Sequence, residues 1–217
     1  MRLKKVAIYG AGGFAREVAW LAESTNLEVV CFIDDDPHQH GKTLNSIPIV
    51  GLADAKERYP DAFLVVAVGS PQAREKMAER AADMGFSFAT IIHPRVERSR
   101  WIEVGEGTVI TAGNILTTNV RLGRHVQINL ACTVGHDVIM EDYVTLAPGV
   151  HVSGWVHLGK RVYVGTGAVI INGTEEAPLV IGDDAVIGAG AVVTKSVPPG
   201  ATVVGVPAKP LRDRGSA

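Results

Sequence analysis

Starting at Val104 and stepping six residues at a time, the chain reads Val104, Ile110, Leu116, Leu122, Ile128, Val134, Met140, Leu146, Val152, Leu158, Val164 and Ile170, every one aliphatic or Met. After one break the phase resumes at Ile181, Ile187 and Val193. A second, smaller register runs two residues ahead, through Val120, Val126, Cys132, Val138, Val144, Val150, Val156, Val162 and Ala168. A period of six fits neither an amphipathic helix nor the alternation of a half-buried strand. It marks a hexapeptide β-helix. Each hexad supplies one short strand and one turn, and three hexads close a triangular coil. The main aliphatic then points inward and stacks on residues eighteen before and after it. A single coil cannot bury its own core, so stability comes from stacking. Fifteen hexads predict five coils. Glycine often follows the main position, as at Gly105, Gly135 and Gly165, and reads as the residue that permits the turn.

Residues up to about Pro94 follow a different grammar. Lys5–Tyr9 is a short apolar strand, and Gly10-Ala-Gly-Gly-Phe-Ala15 is a glycine turn. Helical spacing follows from Arg16 to Ser24, then a strand Val29–Ile33 that runs into Asp34, Asp35 and Asp36. Ile47–Val50 and Ala62–Val68 read as strands, Gln72–Met84 as a helix and Ala89–Ile92 as a final strand. Strand–helix alternation implies a small parallel α/β sheet. The expected organisation is an α/β, Rossmann-like unit over residues 1–94, then a parallel β-helix over residues 95–217, with His93 to Trp101 leading into the coils. The phase break holds about five extra residues, Thr174 to Pro178. Insertions in solenoids leave as loops on one face, often the binding face.

Composition narrows the setting. Among 217 residues the net charge is −2, with no basic run, so neither nucleic acid nor an anionic membrane surface is expected as partner. Cys31 and Cys132 sit among apolar strand residues and read as reduced core side chains. No apolar stretch approaches membrane-spanning length and no signal peptide is visible, so a cytoplasmic protein is expected.

Gly10-x-Gly12-x-x-Ala15 lies between a strand and a helix, and an acidic cluster closes the next strand. In outline this is a dinucleotide fingerprint, with a phosphate at a helix N-terminus and carboxylates for ribose or base. The sheet is too small for two mononucleotide-binding halves, so a single nucleotide attached to something else fits better than a dinucleotide oxidoreductase. In the coils the sharpest polar residue is His136, expected at a corner with Asp137 beside it. A His with a neighbouring carboxylate can accept a proton near neutral pH. No two of His125, His136, His151 and His157 are eighteen residues apart and no zinc spacing is present, so no metal is expected.

Taken together, these pieces resemble a known family. They are the opening Ile8-Tyr-Gly-Ala-Gly-Gly-Phe14, Phe32-Ile-Asp-Asp35, Ala67-Val-Gly-Ser70 with Arg74, Ile92-His-Pro94, Ile128-Asn129, Gly135-His-Asp137, Ala189-Gly-Ala191 and Gly205-Val-Pro-Ala-Lys209. The family is the acetyl-CoA-dependent N-acetyltransferases of nucleotide-linked amino sugars, of the bacillosamine and perosamine type, with related sialic acid O-acetyltransferases. The resemblance implies a left-handed β-helix, acetyl-CoA as co-substrate and a homotrimer with active sites between neighbouring coils. It implies His136 as general base, Asp137 as the acid that raises its basicity and Gly154 as the N–H facing the thioester oxygen. The nucleotide sugar would meet Gly10, Gly12, Gly13, Phe14, Asp34, Asp35, Gly69, Gln72 and Asn129. Acetyl-CoA would meet Thr145, Gly154, Thr166 and Ala189. Many relatives carry His where this chain has Phe14, and some carry a second His where it has Thr145. O-acetylation of a sialic-acid-like sugar and a non-catalytic sugar-binding subunit remain open alternatives.

Overall fold

The computed structural model describes residues 3–211. Residues 212–217, assigned above to the second unit, lie outside them.

The first unit is a five-stranded sheet. It contains β1 (Lys4–Tyr9), β2 (Leu27–Ile33), β3 (Thr43–Leu44), β4 (Ile47–Val50) and β5 (Phe63–Val66), ordered β3-β4-β2-β1-β5. All neighbours are parallel except β3 and β4. Three helices cover it: α1 (Gly13–Glu23), α2 (Leu52–Arg58) and α3 (Pro71–Asp83). Val6 to Tyr9 is wholly buried because the two sides of β1 meet different helices. Val6 and Ile8 pack with Val18, Leu21 and Ala22 of α1, while Ala7 and Tyr9 pack with Leu52, Ala55 and Ala78. The helix α2 was not read from the sequence, since seven residues carry too little periodicity.

The second unit begins earlier than expected. Ile91–Ile92 does not join the α/β sheet; it pairs with Val109–Ile110 and forms the first strand of the coils. Only Phe88 bridges to Leu64 at the edge of β5. The segment read as a linker already contains the strand Glu97–Arg98. Three parallel sheets make the three faces. The first face runs Ile91–Ile92, Val109–Ile110, Gln127–Ile128, Thr145–Leu146, Tyr163–Val164, Val186–Ile187 and Thr202–Val204, with an antiparallel Lys209–Pro210 closing its edge. The second runs from Glu97–Arg98 through Thr133–Val134 to Val192–Val193, and the third from Ile102–Val104 through Ile139–Met140 to Leu179–Ile181. Gln127 pairs with Thr145, eighteen residues on, as the hexads require. Tyr163 pairs with Val186, twenty-three on, which is eighteen plus the five inserted. Both aliphatic registers, with Cys132, form one continuous core.

The glycines after the main positions serve another purpose than the one read from sequence. A Cβ on Gly135 would lie 2.7 Å from Gly154 N, and one on Gly165 2.6 Å from Ala189 N. Close approach of the next rung excludes the side chain. The turn itself is made by residues further along, with positive φ at Asn119, His125, Asp137, Tyr143, Trp155 and Arg161.

The units are joined by α3. Arg74 is wholly buried and donates to His125 O (2.9 Å), Val68 O (3.0 Å), Gln127 Oε1 (2.9 Å), Tyr143 O (2.5 Å) and Thr145 Oγ1 (2.9 Å). Burial lowers its pKa to about 9, which still leaves it charged at neutral pH. Beside it, Arg161 forks onto Asp184 and reaches Glu75 of α3, while Gln72 donates to Asp184 Oδ1 at 3.1 Å. His125 stacks on Tyr143 and meets the Phe88 ring edge-on, and among the described residues its buried Nδ1 has no hydrogen-bond partner. Burial first, then Arg74 and Arg124, push its pKa down to about 4. An unfolded His titrates near 6.5, so between about 6.5 and 4 the unfolded chain binds the extra proton. This contribution to stability is present above that window and is lost as pH falls through it. Replacing His125 by Phe is expected to flatten the pH dependence of the melting temperature there, measured against the wild-type curve.

Candidate active site

One cleft lies at the top of the first unit, with a volume of about 460 Å³. Gly10, Gly12, Gly13, Phe14, Asp34, Asp35 and Gly69 all line it, as expected. Gly10 is required by geometry: its φ is +124° and a Cβ would sit 2.8 Å from Ala67 O. Gly12 caps the N-terminus of α1, where unpaired N–H groups favour a phosphate. Asp35 is already held, accepting from Tyr9 Oη at 2.8 Å and from Arg80, whose guanidinium lies over the Tyr9 ring. Burial, then the neighbouring Asp34, raise the Asp35 pKa.

Three expected contacts do not fit. Gln72 does not line the cleft, because its amide is spent on Asp184 across the junction. Asn129 is buried, and its amide nitrogen donates to Leu146 O at 2.8 Å to tie two rungs together. Thr145, expected against acetyl-CoA, is 1% exposed, with its hydroxyl donating to Gly69 O and accepting from Arg74. In each case the polar group serves packing of the two units or of the coils.

His136, Asp137 and Gly154 meet at the corner between the second and third faces. Asp137 adopts φ +56°, which turns its carboxylate back onto the preceding residue. Its Oδ2 lies 2.9 Å from His136 Nδ1, and its Oδ1 accepts from Asn119 Nδ2 at 3.1 Å. Hydrogen bonds from His136, then from Asn119, hold this carboxyl below the usual range. With Nδ1–H donating to the Asp137 carboxylate, the lone pair that can take a proton is on Nε2. The imidazole is half exposed and stands directly over Gly154. A Cβ there would fall 2.6 Å from both His136 Cε1 and Nε2. Among the described residues no backbone acceptor takes the Gly154 N–H. Trp155 meets the imidazole edge-on, and a cleft of about 520 Å³ opens beside the corner between Trp101, Asn119, Asp137 and Trp155. Asn119 was missed in the sequence, yet counting one rung back from Asp137 finds it. Gly154→Ala is expected to push the ring off its position and lower kcat by roughly a hundredfold, on the scale of a misplaced catalytic group. Steady-state rates at unchanged melting temperature check this.

Thr166 and Ala189 lie at another corner, between the first and second faces, where Gly190 N donates to Thr166 O at 2.8 Å. The whole second face separates them from His136. The inserted loop, by contrast, leaves at the His136 corner. Gly173 N donates to Gly154 O and Leu179 N to Trp155 O, so Thr174–Pro178 lies between two regular rung bonds. Deleting these five residues is expected to keep both bonds and the melting temperature. The expected effect is a higher Michaelis constant for acetyl-CoA, read by initial rates.

Among the described residues no three His, Cys, Asp or Glu side chains cluster as metal ligands, and no helix is long and apolar enough to cross a membrane.

Residues 5–81 match the family model described as the PglD N-terminal domain. GDP-perosamine N-acetyltransferase of Escherichia coli O157:H7 is 35% identical over 212 residues, covering 94% of this chain and 95% of that protein. PerB from Caulobacter crescentus, solved in complex with CoA and GDP-perosamine, superposes with TM-score 0.87 at 30% identity, covering 97% of this chain and 99% of PerB. The acetyltransferase domain of PglB from Neisseria gonorrhoeae, solved with acetyl coenzyme A, gives TM-score 0.87 at 33% identity over 97% of this chain and 100% of that domain. With the glycine-lined cleft, the His136 corner and end-to-end similarity in sequence and fold, the chain belongs to the acetyl-CoA-dependent N-acetyltransferases of nucleotide-linked amino sugars.

Proposed function

We propose that the protein N-acetylates a GDP-linked amino sugar of the perosamine type, as a cytoplasmic homotrimer of left-handed β-helices. The nucleotide choice follows two of the relatives matched over nearly their whole length, one named for GDP-perosamine and one solved with it. The α/β unit, up to about residue 90, holds the nucleotide sugar, and the coils from Ile91 onward carry the transfer. The observation that carries the mechanism is the His136 imidazole, oriented by Asp137 and seated over Gly154.

The sugar amine attacks the thioester carbonyl directly. His136 Nε2 takes a proton from the amine as the C–N bond forms, and Asp137 stabilises the imidazolium. The Gly154 N–H donates to the oxyanion. The tetrahedral intermediate collapses with loss of the CoA thiolate, which takes the proton back from His136. Both substrates are held at once, so proximity supplies much of the acceleration.

Placement supports the trimer reading. Gly69 of the cleft rim rests on Thr145 of the first face, while His136 stands on the opposite corner of the prism. A second copy brings its His136 corner to the cleft, and the Thr166–Ala189 corner of the first copy to the coenzyme. Closed symmetry is the usual form of such contacts. The test is acetyl-CoA turnover with GDP-, UDP- and dTDP-linked amino sugars, alongside light scattering. Turnover is expected with the GDP sugar by a trimer. No turnover with any, or full activity in a monomer, refutes the reading.

A further inference from the structure

Three buried side chains hold the rim of the nucleotide cleft from outside it. Gln127 Nε2 donates to Val66 O at 2.9 Å, Arg74 Nη1 to Val68 O at 3.0 Å and Thr145 Oγ1 to Gly69 O at 3.2 Å. Those carbonyls end β5 and form the turn before α3, where Ala67, Val68 and Gly69 line the cleft. The three side chains also bind one another through Arg74, which donates to Gln127 Oε1 and Thr145 Oγ1. None is more than 1% exposed.

The column of Gln127 and Thr145 on the first face argues that docking alone is not the network's purpose. Val109 precedes Gln127 in the same register and packs apolar against the first unit. Apolar side chains would serve adhesion equally well, and buried polar networks are commonly neutral or costly compared with them. Here the polar atoms address three carbonyls within the four residues Val66–Gly69 of one binding loop. We propose that Arg74, Gln127 and Thr145 are positioning residues for acetyl transfer. They fix the cleft rim, and with it the sugar amine, on their own coils, and so against the His136 corner that the neighbouring copy brings to it.

This proposal rests on reading the cleft as the nucleotide-sugar site. Thr145→Val and Gln127→Met remove hydrogen bonds while keeping volume, and Thr145→Ser restores the hydroxyl. Both apolar variants are expected to lower kcat roughly ten- to a hundredfold, the usual effect of misplacing a bound substrate. Affinity for GDP alone, by calorimetry, and the Michaelis constant for acetyl-CoA stay near wild type. Thr145→Ser recovers most of the rate. Unchanged kcat in both apolar variants overturns the proposal. So does a loss of rate that merely tracks loss of GDP binding or of folded protein, which assigns the network to folding. Wild-type protein that acetylates no sugar of the panel sinks the functional reading and this proposal together; wild-type turnover with unaffected variants sinks this proposal alone.

Discussion

Replacing His136 by Ala lowers kcat for acetyl transfer by roughly a hundredfold to ten-thousandfold, the range for losing a general base. The residue is half exposed at a corner and contributes nothing to the stacked core, so the melting temperature holds. Asp137→Asn gives a smaller loss, because the imidazole remains while its Nδ1 partner loses its charge. Near-normal turnover would remove His136 from the mechanism. Attention would then pass to His157 on the third face, which is held by Glu141 at 2.9 Å.

The largest stability effect is expected at Arg74. Arg74→Met fills much of the same volume and makes none of the hydrogen bonds. It leaves the carbonyls of His125, Val68 and Tyr143, together with Gln127 Oε1, without their shared donor. Each buried acceptor left unpaired costs about 1–3 kcal/mol, so a total loss above ~3 kcal/mol is expected. The coils keep their own core, so the loss falls on the junction. Denaturant melts should separate into two transitions, with the first unit unfolding earlier. A single transition at the wild-type midpoint would show that apolar contact alone holds the units together.

The coils were legible because a six-residue period has few other causes, and each aliphatic position found its place in one core. The glycine-lined cleft was legible for a related reason: strand, turn, helix and acidic strand end are contiguous in the chain, and Gly10 to Phe14 lie together with Asp34 and Asp35. The junction was not legible. Gln72, Thr145 and Asn129 are polar residues of types that often bind ligands, and nothing local distinguishes that use from packing between units or between rungs. Their partners lie 112, 76 and 17 residues away. Ile91–Ile92 misled because its partner strand belongs to the next unit.

The eighteen-residue register also gives the coils a coordinate system. Before the insertion, the remainder of a residue number on division by eighteen fixes its angle around the axis, and the quotient fixes its height in steps of about 4.8 Å. His136 and Gly154 share one column, below Thr118; Asn119, Asp137 and Trp155 share the next. His136, Asp137, Gly154 and their neighbours therefore occupy a line two residues wide along the edge of the prism. Thr174–Pro178 resets the angular count on that same edge. The extra length enters at the edge that carries His136, and the core on either side keeps its phase.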